Sequence, residues 1–241
     1  MRLVPGFLIA IALFAAPGRG LAAPLPKEKT EPLGPITAEQ LHESKTKLQG
    51  IALAFHNYND THGFLPTNQL AKDKKALLSW RVQILPYIEE LALYQQFKLD
   101  EPWDSDHNKK LIEKMPKIYA PVRVKAESGM TFYQAFGGSK GSLIPGARLV
   151  ASIPDGTSNT LMAAEAAKPV IWTKPADMVF DGKDVPALGG LFDGKFHAAM
   201  WDGSVRRFRK GVDANVLKLL IDPSDGTVLP ADIGLDEEDK K

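Results

Sequence analysis

The sequence predicts an α+β fold in which one long N-terminal amphipathic helix packs on an antiparallel β-sheet. Two observations carry this. Helical periodicity dominates 36–63, and from Pro116 onward short apolar or alternating runs take over, separated by Gly, Pro and Asp-Gly. Helices first and strands after, with only short turns between the strands, is the order of an α+β domain. No block recurs at a period of about 20–50 residues, which sets solenoids and propellers aside.

The helix is the best-marked element. Thr37 followed by Gln40 fits a capping box, and Ile36 and Leu41 are placed to close a hydrophobic staple over it. Leu41, Leu48, Ile51, Ala52, Phe55 and Tyr58 recur on one face, while Glu43, Lys45, Lys47, Gln49 and Asn57 fall elsewhere. Gly63 supplies a residue able to end the helix in the left-handed region. At 1.5 Å per residue such a helix is roughly 37 Å long, enough to organise a whole domain.

The ends of the chain read differently. Residues 1–22 have a basic start, an apolar run from Phe7 to Ala16 and small residues before Ala23, the pattern of a cleaved secretory signal peptide. Pro17 and Gly18 break that run before it reaches a comfortable membrane span. Residues 23–35, with four prolines, form an extended linker; 36–230 make the domain; 231–241 are expected to be a disordered acidic and basic tail. The expected location is therefore periplasmic or extracellular, with membrane attachment only if the leader is retained. The formal charge of +1 gives no electrostatic reason to expect nucleic acid as partner. The absence of cysteine excludes disulfides, thiolate metal sites, cysteine nucleophiles and a lipoprotein anchor together.

Between helix and strands, Leu77–Phe97 is a dense apolar pattern interrupted by Pro86, hence two short helices or one kinked helix. A third helix follows, capped by Asp104 or Ser105, with Leu111, Ile112 and Met115 inward. Strands are expected in 116–124, 130–136, 147–153 and 159–166. The two prolines of 169–180 argue against a central strand there. Lys195–Phe208 is the clearest hairpin, with Asp202-Gly203 suited to a type I′ turn, and 213–222 is a short capped helix.

Candidate chemistry is sparse. His56 and His62 are six residues apart and so do not share a helix face as paired metal ligands would. Asp100, Glu101, Asp104 and Asp106 are weak candidates for Ca²⁺, since their spacing lacks an EF-hand pattern; a helix cap with solvated acids explains them better. Asp222 and Asp225 read the same way, as turn residues. Asp155, Thr157, Ser158 and Asn159 form the most polar compact loop and are the candidate ligand-binding residues for an anion or sugar, although an inter-strand turn needs the same residue types. Trp103 and Trp172, beside proline-bearing loops, are candidates for stacking on a carbohydrate; the general expectation for tryptophan is core. No phosphate loop, dinucleotide fingerprint, H-E-x-x-H or nucleophile elbow occurs in the sequence. No cofactor and no enzymatic activity are expected.

The strings KLQGIALAFHNYNDTHGFLP, LSWRVQILPYIEELALYQQFKLDEPWDSDHN, PDGTSNTLMAAEA, WTKPADM and MWDGSV resemble, in order, the blocks of the pilin-like H-x9-DG family, an uncharacterised family expanded in planctomycetes. The resemblance covers about residues 40–230. It implies a type IV pilin- or pseudopilin-like extracytoplasmic domain, with Trp80, Pro86, Trp103, Asp202 and Gly203 at family-motif positions, and it implies no activity. The chain departs from the family pattern twice. The prepilin leader and hydrophobic half-helix are replaced by a signal peptide and linker, and the residue ten before Asp202 is Phe192, the nearest histidine being His197. The function expected is that of a non-catalytic exported structural or protein-interaction domain, with envelope or other pilin-like proteins as partners. The alternative is an envelope module that binds calcium or glycan.

Overall fold

The computed structural model describes residues 34–73, 75–124 and 126–237. The expected signal peptide, most of the expected linker and residues 238–241 lie outside the described residues.

Helix α1 (Ala38–His62) begins and ends as its sequence dictates. Gln40 N–H donates to Thr37 Oγ1 and Thr37 N–H to Gln40 Oε1, completing the capping box. At the far end Gly63 takes φ +75°, and its N–H caps Asn59 O at 2.7 Å. Leu48, Ile51, Ala52, Phe55 and Tyr58 are buried along one face, with Ser44 among them. Complete burial of Leu48, Ile51 and Phe55 contributes roughly 1.5–3 kcal/mol each.

The 77–97 stretch forms three single turns: α2 (Trp80–Gln83), a 3₁₀ turn at Leu85–Ile88 and α3 (Leu91–Tyr94). Pro86 sits in the first turn of the 3₁₀ piece, where a missing N–H costs nothing. Glu89, at φ +63°, then turns the chain before α3. The third helix is a 3₁₀ helix at Asn108–Lys114, opened by Ser105 Oγ accepting from Asn108 N–H at 3.0 Å.

Five strands follow: β1 (Met130–Gly137), β2 (Leu161–Ile171), β3 (Met178–Val179), β4 (Phe196–Met200) and β5 (Val205–Phe208). Their order across the sheet is β3-β1-β2-β4-β5, antiparallel except for the two-residue β1–β3 pair. Side chains alternate between two cores. Ala135, Ala163, Ala199 and Val205 face α1, whereas Phe136, Ala164, Ala198 and Phe208 face α4 (Ala214–Ile221) with its Leu217, Leu220 and Ile221. The alanines of the two central strands leave room for the large α1 side chains. Aromatic rings fill the remaining space, Phe55 meeting Trp80 edge-on at 4.9 Å and Trp201 at 5.9 Å.

Several expectations are corrected. Residues 116–124 hold a 3₁₀ turn (Lys117–Tyr119) and 147–153 only turns. Both edges of β2 are already taken by β1 and β4, and Pro116 and Pro121 bracket the first run. Pro169 does lie in a central strand. The register jumps from Tyr133–Glu165 to Thr131–Val170, and this bulge leaves 166–169 without partners on β1. The proline therefore displaces no β1–β2 ladder bond, while Ala166 and Ala167 bond to 187–190 instead. The 201–203 turn is not type I′, because only Gly203 has positive φ (+86°). Gly203 N–H donates to Met200 O and Met200 N–H to Ser204 O, a three-residue loop with a bulged glycine. The terminal segment is not a free tail over 231–237: Leu235 pairs with Phe208 beside β5. No helix among the described residues is long and apolar enough to cross a membrane.

Candidate functional site

A row of polar side chains crosses the α1-facing side of the sheet. Tyr133 on β1 stands opposite Glu165 on β2. His197 on β4 lies one step along from the Ala164–Ala198 pair, and it stands opposite Arg207 on β5. From above, α1 inserts Ser44.

The hydrogen bonds run in a defined direction. A carboxylate only accepts, so Ser44 Oγ donates its one proton to Glu165 Oε1 and accepts from Tyr133 Oη at 2.8 Å. His197 contributes twice, its backbone N–H to Glu165 Oε2 at 2.8 Å and its Nδ1 to Oε1 at 3.3 Å. Burial pushes the Tyr133 phenol well above its ordinary pKa, and the neighbouring Glu165 charge adds to this while the Ser44 bond opposes it. Phe192 is fully buried and packs edge-on against His197, with ring centroids 5.6 Å apart.

This arrangement is sealed. Ser44, Tyr133 and Glu165 are 0% exposed and His197 2%. Its order is hydroxyl–carboxylate–imidazole, so what Ser44 contacts is a carboxylate. A nucleophilic serine needs the imidazole in that middle place, as base. The row can join α1 to three strands, but it offers neither an approach path nor an ordered base for acyl transfer.

A second buried cluster shares Tyr133. Arg81 donates through Nε and Nη2 to Tyr133 O at 3.0 and 2.8 Å, through Nη1 to Ser79 Oγ at 2.8 Å, and pairs with Asp177 at 2.9 Å. Asp177 also accepts from Trp80 Nε1 (3.0 Å), Ala135 N–H (3.0 Å) and Asn68 Nδ2 (2.8 Å). Tyr119, whose phenol burial pushes far up, donates to Arg81 O at 2.9 Å.

The residues singled out from sequence go elsewhere. Asp155 accepts from Gly226 N–H at 3.1 Å, Asn159 bonds Asp155 O at 3.0 Å, and Thr157 O takes Asp202 N–H at 3.0 Å. Ser158 O takes Arg206 at 3.0 Å, so this loop docks the 201–204 turn and the 223–226 segment onto the sheet. Glu101 pairs with Lys98 and Asp106 with Lys109, while Asp100 and Asp104 are exposed. Among the described residues, no group of three or more His, Cys, Asp or Glu is placed to hold a metal ion. Trp172 is fully buried, stacked on Tyr119 at 5.8 Å, and so is withdrawn from any glycan. Trp103 is half-buried under Lys174, 5.3 Å from the ring centre. Trp80 belongs to the Asp177 cluster, and Asp202 caps its own turn through Ser204 N–H at 2.9 Å. His62 bonds Tyr87 at 3.1 Å, whereas His56 points Nε2 toward the Gly203 turn.

Sequence reasoning missed Ser44, Tyr133, Glu165 and the Arg81–Asp177 pair. A signal existed for Glu165, the one charge in LMAAEAA, because an acid inside an apolar strand requires buried partners.

Fold and site together define a mixed α/β domain whose helix is fastened to its sheet by an enclosed polar row. A model of a family of proteins of unknown function (DUF1559) matches residues 43–145, which takes in Ser44, Arg81 and Tyr133 and stops before Glu165 and His197. No curated protein and no solved structure matches the chain.

Proposed function

We propose that this chain is an exported, non-catalytic, pilin-like domain that acts by presenting surfaces to envelope or other pilin-like proteins. The observation that carries this reading is the enclosure of the Ser44–Glu165–His197 group, 2% exposed at most. Reactive side-chain types are spent on fastening α1 to the sheet. Support for the pilin-like assignment comes from the 25-residue helix laid over an antiparallel sheet and from the five ordered sequence blocks. Support for export comes from the leader-like pattern of residues 1–22.

Two measurements test it. N-terminal sequencing of native protein from fractionated cells is expected to start at Ala23 in a soluble envelope fraction; an intact Met1 in the cytoplasm contradicts export. Affinity capture from an envelope extract is expected to return the same protein partners in replicate. Turnover of an ester, amide or glycoside panel that Ser44→Ala abolishes while the fold is kept would overturn the non-catalytic reading.

A further inference from the structure

The outer edge of β5 is covered by the chain's own C-terminal segment. Arg209 N–H donates to Gly234 O at 2.9 Å and Asp236 N–H to Arg207 O at 2.8 Å, with Leu235 paired antiparallel to Phe208. Charge is matched along the same line. Arg209 forks onto Asp232 at 2.9 Å for both bonds, and Asp236 meets Arg207 at 3.1 Å and Lys195 at 2.9 Å. A basic edge strand, RRFRK at 206–210, is thus read by an acidic terminal strand, DIGLDE at 232–237. This is strand addition with complementary charge, performed within one chain.

The attachment is a single antiparallel bridge at Leu235. It rests on two backbone bonds, the half-buried Ile233 and Leu235, a buried Arg207–Asp236 pair, and two further pairs, Arg209–Asp232 and Lys195–Asp236, that reach solvent and are open to screening by salt. The segment before it is held at three places: Asp222 pairs with Lys140 at 3.0 Å, Asp155 bonds Pro223 O and Gly226 N–H, and Leu229 packs half-buried against the α4-facing core. The connector 227–231 can span up to about 17 Å when extended. Within it Val228 is 90% exposed, an apolar side chain with nothing over it.

We propose that the strand 232–237 is exchanged between two copies of this chain, each copy's acidic C-terminal strand completing the basic β5 edge of the other. The contacts made in exchange are the same as those made within one chain, so connector geometry and concentration set the balance. Crossing of the two connectors brings the Val228 side chains together and removes apolar surface that one copy leaves in water. A strand on a short connector competes at an effective concentration of order millimolar, so exchange grows as protein concentration approaches that range. The proposal is independent of the role argued above, because it concerns the sheet edge alone.

The test uses the full-length chain without mutation. Unlabelled and ¹⁵N-labelled protein are mixed in equal amounts, incubated from tens of micromolar to about a millimolar, and treated with a carbodiimide. This reagent joins Lys195 to Asp236 without a spacer. Mass spectrometry then sorts the Lys195–Asp236 linked peptides by isotope. Mixed-isotope links are expected to rise with concentration toward about half of the total at full exchange. Lys140–Asp222 links, from a pair outside the exchanged strand, are expected to stay within one isotope. Same-isotope Lys195–Asp236 links at every concentration would overturn the proposal. Mixed links appearing equally at Lys140–Asp222 would overturn it too, as would Lys195 linking in an envelope extract to a different acidic protein.

Discussion

The two buried polar clusters meet at Tyr133 and solve the problem of a buried carboxylate in different ways. Asp177 faces a guanidinium, Arg81, and takes three further donors, so its charge is met by a direct counter-charge. Glu165 is held by the Ser44 hydroxyl, one backbone N–H and an imidazole. The first cluster fixes 68–81 and 173–177 to β1, a scaffold of fixed charge. The second joins α1 to the sheet through groups that share protons. The lesson is that the domain's halves are fastened by unlike chemistry: a charge lock at one end of β1 and a hydrogen-bonded relay across its middle.

Breaking the charge lock is expected to have the largest effect. Asp177→Ala leaves Arg81 buried without its counter-charge and is expected to cost about 3–5 kcal/mol in urea unfolding. Glu165→Gln retains shape but mismatches one amide proton against the His197 donors, and is expected to cost about 1–3 kcal/mol. Ser44→Ala removes the helix from the relay and is expected to be comparable or smaller. An equal cost for Asp177→Ala and Ser44→Ala would erase the distinction between the clusters.

The alkaline limit sharpens the comparison. Tyr119 and Tyr133 both have pKa values raised in the fold, chiefly by burial. Their neutral forms are favoured when folded, so the contribution is intact below the unfolded tyrosine value near 10 and is lost as pH climbs from there toward the folded values. Phenolate absorbance from these two residues is expected to appear only together with the loss of far-ultraviolet circular dichroism. At the acid limit the terminal strand should respond first. Burial raises the Asp236 carboxyl, but Lys195, the Glu237 N–H and Arg207 outweigh it and hold it below 3.8. A depressed carboxylate stabilises fully above its unfolded value and loses that contribution as pH falls through the folded one. Hydrogen-exchange protection at Arg209 and Asp236 is therefore expected to fail below about pH 4 while the Ala135 amide on Asp177 stays protected. The smallest expected effect is that of millimolar Ca²⁺, which should leave the Tm unchanged.

Much of this architecture was legible in the chain. Thr37, Gln40 and Gly63 bound α1 by local chemistry alone, and the alternation of 196–208 marked the hairpin, because such signals depend on neighbours in sequence. The polar row was not legible for the opposite reason. Ser44, Tyr133, Glu165 and His197 come from four elements, up to 153 residues apart, and only the sheet register unites them. Pro169 misled because a bulge, invisible in composition, removed the conflict it posed. The residues that looked chemical, Asp155 to Asn159, look so because tight turns and binding loops use the same side chains.

The serine, glutamate and imidazole of the row are closed to solvent. Acylation of native protein by diethyl pyrocarbonate, followed by peptide mass spectrometry, tests it most directly. His42, His62 and His107 are exposed and should be modified readily, while His197 should remain unmodified until the protein is unfolded. Modification of His197 in the folded protein at the rate of His42 would contradict the account and reopen the row as a site of chemistry.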